Sequence, residues 1–299
     1  MIQERGGGAP ARPRAGGEAL HVHRAGGEAL HVRIDGVRHH VRVDGTGPPC
    51  VLSPGLGMCW FDWDPVVPLL APRRTVVRFD RPGLGLSGPA QAWPTLRAEA
   101  RRIGQVLDAL GLDGPATVVG HSLAGFHAEA FARLLPHRAA GVVLVDSSVE
   151  EEPRPRRARP ARDAATRACA TLLGVAGVPR VLLPGLRRAV VRASRTGGGD
   201  PAPSALVRGV YSTRRSFDAI LAENATYTDQ AVELAALRRA MPLPDLPVTV
   251  LAAGAPHWLD RQRALADLLN GTFRVAERSG HMVMLDRPQD VADAVLETA

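Results

Sequence analysis

Val118-Val119-Gly120-His121-Ser122-Leu123-Ala124-Gly125 is the stretch on which the reading of this 299-residue chain turns. An apolar strand pattern runs into Gly120 and a helical pattern runs out of Leu123, so Ser122 stands on a sharp strand-to-helix turn. Such a turn lifts a hydroxyl beyond the sheet edge, and it needs small residues two places to either side of the serine because larger ones collide inside it. Gly120 and Ala124 meet that need. With the second glycine one place late, at Gly125, the string is a relaxed Gly-x-Ser-x-Gly. A serine capping a helix after a glycine turn gives the same local string; a base and an acid elsewhere in the chain separate the two readings.

Working outward, Leu30, Val32 and Ile34 alternate with polar residues, an Asp35-Gly36 turn follows, and Val37, Val41 and Val43 continue the alternation, which predicts a β-hairpin. Short apolar runs at Cys50 to Leu52, Thr75 to Phe79, Ala116 to Val119 and Val142 to Val145 alternate with helical patterns at Leu96 to Leu110 and Leu123 to Leu135. Buried strands that alternate with helices imply an α/β fold with a mostly parallel sheet and right-handed crossovers. From Ser147 to Ala240 the chain turns Arg/Ala/Leu-rich, is broken by prolines and by Gly197-Gly198-Gly199, and shows no convincing strand. Strand signals return at Val248 to Leu251 and Thr272 to Ala276, and Val291 to Leu296 reads as a closing helix. The expected organisation is a core of residues 29–146 and 241–299 with a helical insertion at 147–240. Residues 1–28 read as a disordered extension, because Arg14 to Val22 (RAGGEALHV) is repeated word for word at Arg24 to Val32 and two units do not make a solenoid.

Four landmarks occur in order: Ser53-Pro54-Gly55-Leu56-Gly57 after an early strand, Asp80-Arg81-Pro82-Gly83-Leu84-Gly85-Leu86-Ser87 after the next, the turn at Ser122, and Ser279-Gly280-His281 near the end. Together they make the chain resemble the α/β-hydrolase superfamily over about Ala29 to Val145 and Met241 to Ala299. The resemblance implies an α/β-hydrolase fold, a mostly parallel central sheet flanked by helices with a helical cap insertion. It also implies a serine nucleophile at Ser122, a general base at His281 and an oxyanion hole made by the backbone N–H groups of Leu123 and Leu56. Gly55, His121 and Trp60 are candidates for contact with substrate. The family's usual acid position, about three residues beyond the glycine after the penultimate strand, holds Ala255, Pro256 and His257 instead. Two carboxylates remain: Asp146, at the end of the strand after the Ser122 helix, where some relatives place the acid, and Asp260, farther along the usual loop.

The resemblance further implies a carboxylesterase-like serine hydrolase that cleaves an ester, thioester, lactone or amide of a small, largely apolar substrate through an acyl-enzyme. Relatives that open epoxides or remove halides carry aspartate at the elbow, so Ser122 argues against those activities. A catalytically silent small-molecule-binding protein on the same scaffold is the alternative, and the empty acid position beyond Gly254 speaks for it.

Composition sets the remaining expectations. The net charge is +7, yet all 37 basic residues are arginine, and the densest run, Arg154 to Arg162, is interleaved with Pro and Ala and lacks aromatics for base stacking, so nucleic acid is not expected as a partner. Cys50, Cys59 and Cys169 are odd in number and widely spaced, which suggests neither a disulfide framework nor a metal site. No apolar run approaches the length of a membrane span, about 20 residues, and Met1 to Pro13 has no secretory apolar stretch. A cytoplasmic location, a small-molecule substrate, no membrane partner, no metal and no organic cofactor are therefore expected.

Overall fold

A computed structural model of the chain describes residues 20–23 and 28–298. Nine strands form one sheet: β1 (Leu20–His23), β2 (Glu28–Ile34), β3 (Val37–Asp44), β4 (Pro49–Ser53), β5 (Thr75–Phe79), β6 (Ala116–His121), β7 (Ala139–Val145), β8 (Val248–Ala252) and β9 (Thr272–Val275), in the spatial order β1-β2-β3-β5-β4-β6-β7-β8-β9. The first strands are antiparallel, with Ile34 opposite Val37 across the Asp35-Gly36 turn, where both residues take positive φ as a two-residue hairpin of this hand requires. From β5 onward every pairing is parallel.

Alternation along the strands divides the core. Val51, Val77, Val118, Val142, Leu144 and Val250 face one side, while Cys50, Leu52, Val76, Val119, Val143, Val145 and Leu251 face the other. Buried helices on both faces are what make near-continuous apolar strands necessary. On the first face lie α2 (Leu96–Ala109) and α3 (Leu123–Leu134), and on the second α1 (Val67–Leu70) and the late helices α9 (Val283–Asp286) and α10 (Pro288–Glu297). Between β7 and β8 the chain makes four further helices, α4 (Arg159–Val175), α5 (Val178–Ala193), α6 (Ser204–Tyr211) and α7 (Arg214–Ala240), and α8 (Pro256–Leu268) follows β8. A third apolar cluster joins the core loop after β4 to these inserted helices through Cys59, Trp60, Phe61, Leu183, Val210, Tyr211 and Phe217.

One expectation is corrected. Part of the duplicated segment, Leu20–His23, is a strand that pairs antiparallel with β2, Leu20 opposite His31, rather than wholly disordered. A second copy of a strand-forming sequence satisfies the backbone groups that β2 otherwise leaves open at the sheet edge. Residues 1–19 and 24–27 of that extension lie outside the described residues.

Parallel pairing brings the carboxyl ends of β4, β6, β7 and β8 side by side, with Ser53 next to Gly120 and His121 next to Val145. Ligands of open α/β sheets bind at this edge: Gly55, Leu56 and Trp60 follow β4, His121 ends β6 with Ser122 and Leu123 directly after it, Asp146 follows β7, Asp260 lies on the helix after β8, and His281 follows β9.

Candidate active site

Ser122 takes φ 52° and ψ −122°, a conformation that a residue with a side chain holds only when its surroundings fix it. They do. Its N–H donates to Val145 O at 3.1 Å, and its carbonyl accepts from Gly125 N at 2.9 Å and Ser148 N at 3.1 Å. A Cβ on Gly120 would lie 2.2 Å from Ala124 O, and a Cβ on Gly125 would lie 2.0 Å from Ser147 Oγ. The late glycine of the motif thus has its own cause: α3 packs at Gly125 directly on the loop that leaves β7.

That loop begins with Asp146, also at positive φ (42°), whose N–H donates to Leu251 O at 2.7 Å. Its buried carboxylate accepts from His281 Nδ1 at 2.5 Å through Oδ2, and from Trp258 Nε1 at 2.7 Å and Ala253 N at 3.2 Å through Oδ1. A carboxylate is an acceptor only, so Nδ1 of His281 carries the proton and Nε2 is left with a lone pair able to take one. The other acid candidate, Asp260, lies exposed on α8 with its carboxylate 3.3 Å from Arg263. The structure therefore brings Asp146, and not Asp260, to the imidazole.

His121 buttresses His281. Its Nε2 donates to His281 O at 2.9 Å, and the two rings are 4.6 Å apart at a 43° tilt. Burial, with the neighbouring His281 second, pushes the His121 pKa well below the ordinary value, so the ring is neutral. Its Nδ1 is buried without a hydrogen-bond partner among the described residues and faces Gly55, where a Cβ would come within 2.7 Å of it. Gly55 thus makes room for His121 rather than lining the pocket.

The N–H of Leu123 is the first of α3, among those a helix cannot pair itself. The loop bearing Leu56 is clamped by Arg81, which belongs to the second landmark, and by Glu223 and Tyr211, which no motif marks. Arg81 donates to Pro54 O, to Gly55 O at 2.7 Å and, through Nε, to Glu223 Oε1 at 2.6 Å. Glu223 accepts in turn from Gly57 N at 2.7 Å, and Tyr211 Oη donates to Gly57 O at 2.8 Å. Arg81 and Glu223 are both buried. Burial by itself would lower the Arg81 pKa, but Glu223 outweighs it and the net direction is up, so the guanidinium stays charged.

Ser122 and His281 line one cavity of about 270 Å³ together with Leu56, His121, Leu183 and Ile220. Its walls are largely apolar and come from both the core and the inserted helices. Trp60 does not line it: the ring is buried edge-on against His40 at 4.5 Å and Phe61 at 5.0 Å, because its backbone N–H is tied to Asp80 at 3.0 Å. Leu172 on α4 and Leu182 on α5 are exposed and take no part in the cavity. Among the described residues no group of three or more His, Cys, Asp or Glu is placed to hold a metal ion, and no single helix is long and apolar enough to cross a membrane.

Residues 50–294 match the model of the alpha/beta hydrolase family, and the chain belongs to that family. It is 29% identical over 269 residues to the polyketide synthase ThaQ of Burkholderia thailandensis, covering 87% of this chain and 12% of that protein. It is 32% identical over 107 residues to the putative carbamate hydrolase RutD of Azorhizobium caulinodans, covering 36% of this chain and 40% of that one. The chain thus spans less than half the length of these curated relatives. Among solved structures, Cfl2 of Burkholderia cenocepacia superimposes with a TM-score of 0.75 at 20% identity, over 94% of this chain and 99% of that one, a likeness of fold.

Proposed function

We propose that this protein is a serine hydrolase that cleaves an ester-like bond (ester, thioester, lactone or amide) of a small, largely apolar substrate through Ser122, His281 and Asp146. The observation that carries the reading is the His281 Nδ1 to Asp146 contact beside a serine held at positive φ in the same cavity wall. Nε2 of His281 takes the Ser122 proton as the hydroxyl oxygen attacks the substrate carbonyl. The tetrahedral oxyanion is met by the N–H groups of Leu56 and Leu123, and the imidazolium, balanced by Asp146, returns the proton to the leaving group. Water then enters by the same base to release the acid. The similarity to a segment of a polyketide synthase adds polyketide-type acyl groups to the substrates worth trying.

Labelling with a fluorophosphonate probe tests the nucleophile: the wild type is expected to label and Ser122→Ala to stay blank. Labelling that persists in Ser122→Ala overturns the assignment. A series of p-nitrophenyl esters of increasing chain length then reads the apolar cavity.

A further inference from the structure

Leu172, Val175, Val181 and Leu182 cluster where α4 turns into α5, and each is between 60% and 80% exposed. From there Leu182, Leu186 and Val190 continue along one face of α5 at four-residue intervals, while Leu183, Arg187 and Val191 on the adjoining face are buried. Leu186 and Val190 are half or more exposed and also line the cavity that holds Ser122 and His281. An apolar track therefore runs from the cavity mouth to the tip of the helical hairpin. Charge accompanies it: between Arg159 and Ala193 there are seven arginines against one acid, Asp163, and Arg167, Arg180 and Arg192 are exposed.

We infer that the α4–α5 hairpin docks the protein on anionic lipid surfaces, with its aliphatic tip among the acyl chains and its arginines on the headgroup phosphates. Helices that lie in a membrane interface combine an exposed aliphatic face with arginine-rich flanks, and neither element alone holds firmly. Here neither α4 nor α5 is by itself long and apolar enough to span; only the two together are, and the bend of 103° between them keeps them from forming one straight span, so the hairpin is placed on the bilayer rather than through it. The expectation of no membrane partner came from the lack of a spanning run; this surface is assembled from two helices and needs none. A second copy of the chain is a poor occupant, because it would set one arginine-rich hairpin against another. An acidic protein would answer the arginines but leave the aliphatic tip without its best solvent. Docking rests on this surface alone. That it aims the cavity mouth at lipid-borne substrate rests on the hydrolase reading above.

Co-flotation of the full chain with vesicles tests the inference, comparing phosphatidylcholine alone with an equal mixture of phosphatidylcholine and phosphatidylglycerol. Binding to the mixed vesicles is expected to exceed binding to phosphatidylcholine by about tenfold or more, and Arg180→Glu with Arg192→Glu should remove most of that preference. Val181→Asp with Leu182→Asp should cut binding to the mixed vesicles by about tenfold or more. Both changes sit on exposed side chains outside the cavity, so hydrolysis of a soluble short-chain ester should be unaltered, which also reports that the variants are folded. No flotation overturns the inference, as does flotation indifferent to Val181→Asp with Leu182→Asp, since a chain with a net charge of +7 adheres to anions without a docking surface. Capture of an acidic carrier protein without vesicle binding, or a dimer that the aspartate variant dissolves, overturns it too. Flotation as expected with no esterase activity in any form would sink the hydrolase reading and leave the docking intact.

Discussion

Arg81 and Glu223 form a buried ion pair, Nε to Oε1 at 2.6 Å, that ties helix α7 of the insertion to the backbone of the loop carrying Leu56. Between them the two side chains engage Pro54 O, Gly55 O and Gly57 N. The loop proposed to meet the oxyanion is thus held from the cap side, and the donor of Leu56 depends on a residue far along the chain.

Glu223→Gln should expose that dependence. The amide keeps the shape but turns one acceptor into a donor facing Arg81 or Gly57 N, and breaking a buried pair typically costs about 3–5 kcal/mol. A lower melting temperature is expected. Beyond it, kcat per fluorophosphonate-titrated site should fall about 100-fold with KM within a few-fold, the size of effect seen when one oxyanion donor is lost. An unchanged kcat per titrated site would mean that the clamp serves stability alone.

The two acid candidates separate cleanly. Asp146→Asn removes the negative charge that faces His281 Nδ1–H, and an amide NH₂ turned towards the ring favours the wrong tautomer, so kcat should fall about ten-thousandfold. Asp260→Asn touches only an exposed pairing with Arg263 and should leave kcat within about twofold. Steady-state rates on a p-nitrophenyl ester compare the two; equal losses would contradict the geometry.

Much of this site is legible in the sequence because it is local. The turn at Ser122 is written in eight consecutive residues, and Asp146 is written as the first residue after an apolar strand. The strands from Thr75 to Phe79 and from Val248 onward match their apolar runs because both sheet faces are covered. Glu223 is a different matter. It sits within the 27-residue α7, 142 positions from Arg81, and nothing in its neighbourhood marks one glutamate as buried. Trp60 misleads for the converse reason: its position after the oxyanion loop suggests the pocket, but its backbone is bound to Asp80, which also holds His40 at 2.9 Å and Leu86 N at 3.0 Å. Long-range polar ties of this kind have no period to read.

His39 makes stability depend on pH. It is buried, with Nδ1 donating to Val37 O at 3.0 Å and Nε2 accepting from Arg102 Nη1 at 3.1 Å. Burial first, and Arg102 second, bring its pKa down to about 4. In the unfolded chain the ring titrates near 6.5, so between these values the unfolded state binds more protons and stability rises with pH; above about 6.5 the contribution is constant. From pH 7 to pH 5 this one group should cost about 2 kcal/mol, and His121 and His127, also lowered by burial, act in the same direction. Urea denaturation at the two pH values should show the loss, and His39→Gln should make it smaller. A pH-independent midpoint would contradict a neutral His39.

Gly125→Ala tests why the motif carries its glycine late. A Cβ there meets Ser147 Oγ at 2.0 Å and Ser147 Cβ at 2.7 Å, contacts that no rotation of the serine relieves because its Cβ is fixed by the backbone. Either α3 or the loop holding Asp146 must move, and overpacking of this kind costs about 1–3 kcal/mol. Movement of that loop also shifts Asp146 relative to His281, so activity should fall more than about tenfold, since small misplacements of reacting groups are costly. Ser147→Gly removes both clashing atoms, and the next nearest atom, the Cα at position 147, lies at 3.5 Å, in ordinary contact. The double variant should therefore recover most of the lost stability and activity, less about 0.5–1 kcal/mol for the added backbone freedom of glycine. Melting temperatures and ester hydrolysis of the wild type, both single variants and the double variant close the cycle. Additive losses would show that the glycine is there for a reason other than its contact with Ser147.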